Sequence, residues 1–378
     1  MLYLLLEYLR EAAGTAGFGV FSFITVRSAL AAFTALIISV IFGKRIILWL
    51  ENMQLKETFR DGIGLEHHKI KKGTPSMGGL IILLAIVIPT LLWARPGNIY
   101  IILILFVSVS LGIVGFVDDY IKIIKKDKQG LLGKFKVTGQ IFVGSVLGAV
   151  LYFHPDFQDT NTVSTIPFFK EYTVDYAIFG DSLGWIVYIP VCIFIITALS
   201  NSVNLTDGLD GLASGTSAIA GLALGILAYV SGRVDYSNFL DIMFLPGTAE
   251  LTIFCAALTG ACFGFLWYNT YPAEVFMGDT GSLALGGAIG AVALMVHKEL
   301  LLPILCGVFL METLSVIMQT GYYKYTKKRY GEGRRLFLMA PIHHHFEKKG
   351  WTEPKIVVRF WIIAILLATF TIITLKLR

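Results

Sequence analysis

Adjacent carboxylates at Asp118 and Asp119, within Gly115-Phe-Val-Asp-Asp-Tyr-Ile-Lys122, carry the first hint of chemistry in this chain. Two acids at the C-terminal end of a helix oppose the negative end of its dipole and repel one another, so a cation must compensate them. That cation is either a bound metal ion or the nearby Lys122, Lys125 and Lys126 at a solvated helix end.

A second polar motif, Asn201-Ser-Val-Asn204-Leu-Thr-Asp207-Gly208-Leu209-Asp210-Gly211, reads as a short loop between two apolar runs and has no Lys or Arg. Its glycines allow close backbone approach to a ligand, and its acids and amides offer oxygen ligands or acceptors for ribose and base groups. An Asp-Gly turn that merely caps a helix fits one such pair, but the repeat of Asp-Gly beside Asn204 favours a site. In a third motif, Phe276-Met-Gly-Asp279-Thr-Gly-Ser282, Asp279 is placed to be a helix N-cap, a metal ligand or both. A fourth, Ala340-Pro-Ile-His343-His344-His345-Phe-Glu347, lies in a basic stretch ahead of the last apolar run.

Three successive histidines rarely point at one ion, and the carboxylates around them favour a hard cation over zinc. Magnesium takes one or two carboxylates together with water and substrate phosphates, which makes a diphosphate its natural companion here. The histidines would then supply hydrogen bonds or a proton near phosphate oxygens. The segment from His67 to Gly79, with Lys69, Lys71, Lys72, Thr74 and Ser76, adds cations, hydroxyls and backbone amides for phosphate, although it matches no P-loop pattern. Lys134 is a further candidate, and each lysine alone also reads as an orientation charge.

The elements that position these residues must be membrane helices. The chain is 56% hydrophobic and 15% charged, far from the balance of a soluble domain. A span needs about 20 apolar residues, and ten runs qualify or nearly so: 21–42, 78–93, 100–117, 137–153, 185–199, 212–230, 251–267, 283–296, 301–322 and 356–375. The fifth and eighth are short and must borrow from their flanks. The connections after the first, third and ninth runs hold 7, 6 and 9 Lys and Arg, whereas all segments on the other side share 7. By the positive-inside rule the basic loops are cytoplasmic and both termini external, and all the polar motifs above fall on the cytoplasmic side. The expectation is one all-α polytopic domain over residues 1–378, with 1–20 as an amphipathic entry segment. The basic cluster Lys327, Lys328, Arg329, Arg334 and Arg335 either sits against the anionic headgroups of membrane lipids or, the reading favoured here, is orientation charge alone. The four cysteines, all within apolar runs, imply neither a disulfide framework nor a zinc site, and no nucleic-acid signature is present. Glu312, inside the ninth run, either lines a groove or pairs locally.

Taken together, Lys71-Lys72-Gly-Thr-Pro-Ser-Met-Gly-Gly, Asp118-Asp119, Asn204-Leu-Thr-Asp207-Gly-Leu-Asp210-Gly, Asn269-Thr-Tyr-Pro-Ala, Phe276-Met-Gly-Asp279, Glu312-Thr-Leu-Ser-Val-Ile and Ala340-Pro-Ile-His-His-His-Phe resemble the polyprenyl-phosphate N-acetylhexosamine-1-phosphate transferases, in their phospho-N-acetylmuramoyl-pentapeptide branch. The likeness runs over nearly the whole chain and implies ten helices with periplasmic termini in a bacterial inner membrane, the site facing the cytoplasm. It also implies transfer of the phospho-sugar from UDP-MurNAc-pentapeptide to undecaprenyl phosphate in peptidoglycan synthesis, with Mg2+ on Asp279 and a homodimeric protein. Asp118 would activate the lipid phosphate or attack as nucleophile, with Asp119, His343 and His344 completing the catalytic set. Lys71, Asn204, Asp207, Gly208, Leu209, Asp210, Asn269 and Phe276 would line the uridine and sugar pocket, with Ser76, Lys122 and Lys134 at further substrate positions. A transferase for UDP-N-acetylglucosamine would share the Asp motifs, and a secondary transporter is the reading from another class.

Overall fold

The computed structural model describes residues 2–13, 16–53, 73–123, 130–157, 162–169, 172–180 and 182–376. A helix α1 (Leu2–Ala13) and a 3-10 turn lead into α2 (Ile24–Asn52), followed by α3 (Gly79–Trp93), α4 (Ile99–Ile123), α5 (Gly133–Phe153) and α6 (Trp185–Thr206). The second half holds α7 (Leu212–Ser231), the short α8 (Val234–Leu240), α9 (Leu251–Asn269), α10 (Gly278–Met295), a one-turn α11 (Leu302–Leu305), α12 (Gly307–Tyr330), α13 (Ile342–Lys348) and α14 (Glu353–Ile373). In the acidic connection between α5 and α6, strands β1 (Val163–Thr165) and β2 (Thr173–Asp175) pair antiparallel, an element the sequence reading lacks.

Eight of the described helices are long and apolar enough to cross a membrane, and nine spans result if the bent pair Glu299–Leu305 and Gly307–Tyr330 counts as one. The expected ten therefore stand only in part. The helix α3 has 15 residues, a rise of about 22 Å against a hydrocarbon core of about 30 Å, and so falls short of a span by length. The fifth and eighth runs prove complete, because α6 extends to Thr206 and α10 starts at Gly278. The bent pair turns by 80° around Cys306, and most side chains of α12 beyond its first turns are exposed.

The interior is built by α9 and α10. The former packs chiefly on α2 and α7, the latter on α4 and α6. Lipid offers no hydrophobic drive between helices, so close backbone approach at small residues does the work. A Cβ on Gly79 would stand 2.0 Å from the backbone nitrogen of Gly281, and one on Gly115 would stand 2.2 Å from the carbonyl oxygen of Asp279. Only glycine lets α3 and α4 lie this close to the start of α10.

At the opposite end of the bundle, the buried Arg27 guanidinium donates to both carboxylate oxygens of Glu250, at 2.9 and 2.6 Å, and to the Trp93 carbonyl at 3.1 Å. The Tyr3 ring lies 4.3 Å from the Arg27 guanidinium carbon, which fastens α1 at this end. Such a buried pair is tolerated because it is bidentate and further hydrogen-bonded, and breaking it would strand a charge. The four cysteines are free and buried, as expected.

Candidate active site

The α4 helix runs on to Ile123 because no glycine or proline interrupts it after Gly115, and this carries Asp118 and Asp119 to its last turns. The reading of a solvated helix end does not hold. Asp118 is 0% exposed and Asp119 4%. The start of α10 meets them: Asp119 Oδ1 accepts the N–H of Asp279 at 3.1 Å, and Oδ2 accepts the N–H and hydroxyl of Thr280 at 2.9 and 2.7 Å. Asp119 thus accepts two of the free amides at the positive end of the α10 dipole, contacts that favour its charge. Asp279 itself is not the N-cap, a position Met277 fills, but lies in the first turn.

Asp118 points the other way. Its Oδ1 accepts the Leu131 N–H at 2.7 Å, while Oδ2 is 2.5 Å from Lys122 Nζ and 2.8 Å from Lys136 Nζ. Both lysines also reach Asp279 Oδ2, Lys122 at 3.2 Å and Lys136 in a short contact. Two acids and two lysines therefore form one alternating cluster, with Lys136 rising from the first turn of α5. Lys136 was absent from the expected set. Lys134, which was in it, is exposed and lies over the Phe135 ring at 5.2 Å. The spacing could have separated them: two residues further along a helix turns the side chain to the opposite flank.

The Asn201–Gly211 motif is only half a loop, because α6 continues through Thr206 before Asp207 and Gly208 end it. That helical stretch aims Asn204 at α10, where its amide donates to Asp279 Oδ1 at 2.7 Å and to Ser282 Oγ at 2.9 Å. Asp207 is half-buried and Gly208 exposed at the turn, with Leu209 buried beneath. Asp210 and Asn269 are buried within the frame. Asp210 Oδ2 accepts the Ala273 N–H at 3.0 Å, and Glu353 Oε1 accepts the Asp210 N–H at 2.6 Å. Asn269 Oδ1 accepts the Gly211 N–H at 3.0 Å, and its amide donates to the Val275 carbonyl at 2.9 Å.

Phe276 joins the cluster through its backbone, donating to the Pro75 carbonyl at 2.9 Å and accepting from Gly78 at 2.8 Å. This brings the buried Ser76 to the acids: a Cβ on Gly278 would stand 2.7 Å from Asp119 Oδ2 and 3.2 Å from Ser76 Oγ. Lys71 lies outside the described residues. The His343 ring is buried beside Gly208, and His344 contacts Glu347 on its own short helix.

Carboxylate oxygens of Asp118, Asp119 and Asp279 lie within 4.8 Å of one another. Hard oxygen donors at this spacing suit a divalent cation such as magnesium. Since Asp119 is committed to the α10 amides, Asp118 and Asp279 are the acids with an oxygen facing the Lys122 and Lys136 ammonium groups. The arrangement can hold a cation and, with Lys122 and Lys136, a polyanionic phosphate.

Residues 101–297 match the model of glycosyl transferase family 4. Residues 71–83 match signature 1 of phospho-N-acetylmuramoyl-pentapeptide-transferase. The chain is 53% identical to a protein of that name from Flavobacterium psychrophilum, with 100% of both chains covered. It is also 54% identical to the one from Salinibacter ruber and 51% identical to the one from Chloroherpeton thalassium, again with 100% of both chains covered.

Proposed function

The chain belongs to glycosyl transferase family 4, and within it to the phospho-N-acetylmuramoyl-pentapeptide transferases; on that premise we propose that it moves phospho-MurNAc-pentapeptide from UDP-MurNAc-pentapeptide to undecaprenyl phosphate. An oxygen of the lipid phosphate forms the new bond to the sugar-bearing phosphorus, the bond from that phosphorus to UMP breaks, and lipid I and UMP result. The observation that carries this reading is the shared cluster of Asp118, Asp279, Lys122 and Lys136 at one end of the bundle. Phosphoryl transfer asks of a protein mainly alignment and charge neutralisation, and this cluster is placed to give both. Its position suits a lipid-tethered acceptor meeting a soluble donor, and the density of Lys and Arg in the connections on that side supports a cytoplasmic orientation in the bacterial inner membrane. On that orientation both termini are periplasmic and α3 and the bent pair complete ten spans. A transporter would instead gather its acids near the midplane.

Magnesium, when bound to Asp118 and Asp279, would neutralise charge on the diphosphate and order its oxygens. Lys122 and Lys136 each bridge the two acids, screening their mutual repulsion so that both carboxylates stay close. Asp118 is sealed beneath both lysines, which supports a role in holding charge over one as attacking group. Asn204 fixes Asp279, and the exposed turn at Asp207 and Gly208 offers the surface for the nucleotide. A homodimer draws no support from the relatives or from the single chain.

Magnesium-dependent UMP release from UDP-MurNAc-pentapeptide, measured with and without undecaprenyl phosphate in detergent, tests the proposal. Release that requires the lipid supports it. Faster turnover of UDP-N-acetylglucosamine would reassign the donor, and the absence of UMP under all conditions would sink the reading.

A further inference from the structure

Glu312 stands in an otherwise apolar stretch of α12, and its side chain is 0% exposed. A lone carboxylate in such surroundings is strongly disfavoured, so its partner decides its meaning. The partner is His343. Glu312 Oε2 lies 3.1 Å from His343 Nδ1 and accepts the His343 backbone N–H at 3.4 Å. The 80° bend at Cys306 sets this part of α12 beside the last turns of α6, where Thr313 Oγ1 donates to Ser202 Oγ at 2.8 Å. The far side of the ring meets the turn after α6: a Cβ on Gly208 would stand 2.2 Å from His343 Nε2. Among the described residues, Glu312 Oε1 and both ring nitrogens of His343 are buried without an aligned hydrogen bond, the 3.1 Å approach of Nδ1 to Glu312 being a close contact of the pair. Native structures rarely leave buried polar atoms in that condition without a functional reason.

We propose that Glu312 is a positioning residue: it holds His343 through Nδ1 so that Nε2 supports the Asp207–Gly211 turn that receives the nucleotide donor. The inference deepens the transferase reading and rests on it. A carboxylate oxygen has only lone pairs to offer, so its approach to Nδ1 requires the proton there. Nε2 is then the nitrogen left for the turn or its ligand, and the absence of a side chain at Gly208 is what admits it. Removing Glu312 frees the ring to turn and to exchange tautomers, which loosens the turn while leaving Asp118 and Asp279 in place.

The test uses the full-length protein in detergent with Glu312→Ala, Glu312→Gln, His343→Ala and the Glu312→Ala/His343→Ala pair, reading KM for each substrate separately. Glu312→Ala should raise the donor KM about tenfold with the acceptor KM and melting temperature held. Glu312→Gln, which keeps an oxygen acceptor for Nδ1–H, should recover most of the loss, and the double variant should be no worse than His343→Ala because the two residues act as a unit. A donor KM unchanged in Glu312→Ala, or losses that add in full, overturns the positioning role; wild-type UMP release in the same assay leaves the transferase reading standing. Absence of wild-type UMP release overturns both. If Glu312→Ala fails to fold, nitrogen spectra of 15N-histidine-labelled wild type and Glu312→Gln decide, since a wild-type His343 protonated on Nε2 alone overturns the proposal.

Discussion

Asp119 Oδ2 accepts both the N–H and the hydroxyl of Thr280, at 2.9 and 2.7 Å, so one acid of the adjacent pair serves as the cap of the helix that bears Asp279. Its neighbour Asp118 faces Lys122 and Lys136 instead. Successive residues on a helix point about 100° apart, and this rotation divides two chemically identical side chains into a builder and a charge holder.

Substitution should separate those roles. Asp119→Ala leaves the first amides of α10 without their acceptor and is expected to destabilise the protein by about 2 to 3 kcal/mol, lowering the detergent melting temperature together with transfer. Asp118→Ala should abolish transfer with a smaller effect on melting, because the Lys122 and Lys136 side chains, 36% and 20% exposed, can turn to water when their partner is gone. Equal melting temperatures for the two variants would refute the division.

Lys136 and Lys134 give a second contrast. Lys136→Met removes one of two cations shared by Asp118 and Asp279 and should reduce kcat about 100- to 1000-fold, the usual loss on deleting a charge-stabilising donor. Lys134→Met, at an exposed position, should stay within about twofold of wild type. The same UMP-release assay reads both, and a large loss at Lys134 with none at Lys136 would restore the assignment made from sequence.

The helices and the meeting of the polar motifs at one end were legible because hydropathy and the Lys and Arg bias act over many residues at once. What escaped were relationships set by single rotations and contacts: Lys136 beside Asp118 and Asp279, the capping role of Asp119, and the identity of His343 as the partner of Glu312. Pro303 and Gly307 flank the bend and mark a break in the apolar run, but nothing local to them sets its angle or what it brings together. Asn204 was expected in a loop because the polar run from Asn201 hides a helix end, where Asn204 is satisfied by α10 and Asn201 by Gln140 of α5.

Gly115→Ala tests the approach of α4 to α10. The added methyl would lie 2.2 Å from the Asp279 carbonyl oxygen, forcing the two helices apart at the point where Asp118 and Asp279 share lysines. Overpacking of this kind costs about 1 to 3 kcal/mol, and displacement by about 1 Å can lower catalysis by about 100-fold. Gly321→Ala, where nothing lies within 4 Å of the new methyl, should raise stability by about 0.5 to 1 kcal/mol. A functional Gly115→Ala protein with unchanged melting would show that the helices are looser than their spacing suggests.

Cation binding has its own readout in stability. A divalent ion that binds the folded state alone adds about 2.7 kcal/mol at 100 times its dissociation constant, so magnesium should raise the melting temperature saturably and chelation should reverse the gain. Asp279→Asn should remove most of that response while the fold persists through the Asp119 cap. An undiminished magnesium response in Asp279→Asn would place the ion elsewhere.

Asp210 and Asn269 decide whether family likeness or local geometry better describes the nucleotide pocket. The resemblance sets both against uridine or sugar, yet Asp210 Oδ2 accepts the Ala273 N–H, and both polar atoms of the Asn269 amide bond to backbone across the same gap. These bonds tie the turn between α6 and α7 to the connection that leads into α10, so their loss should disturb Asp279 and the donor turn together. Asp210→Ala is accordingly expected to cost about 1 to 3 kcal/mol and to depress kcat along with melting temperature. Asp207→Ala, at the half-buried turn, should raise the donor KM with the melting temperature held. The reverse pattern, with Asp210→Ala melting as wild type and failing only in donor affinity, would mean that Asp210 exchanges its backbone partner for the nucleotide when the donor arrives.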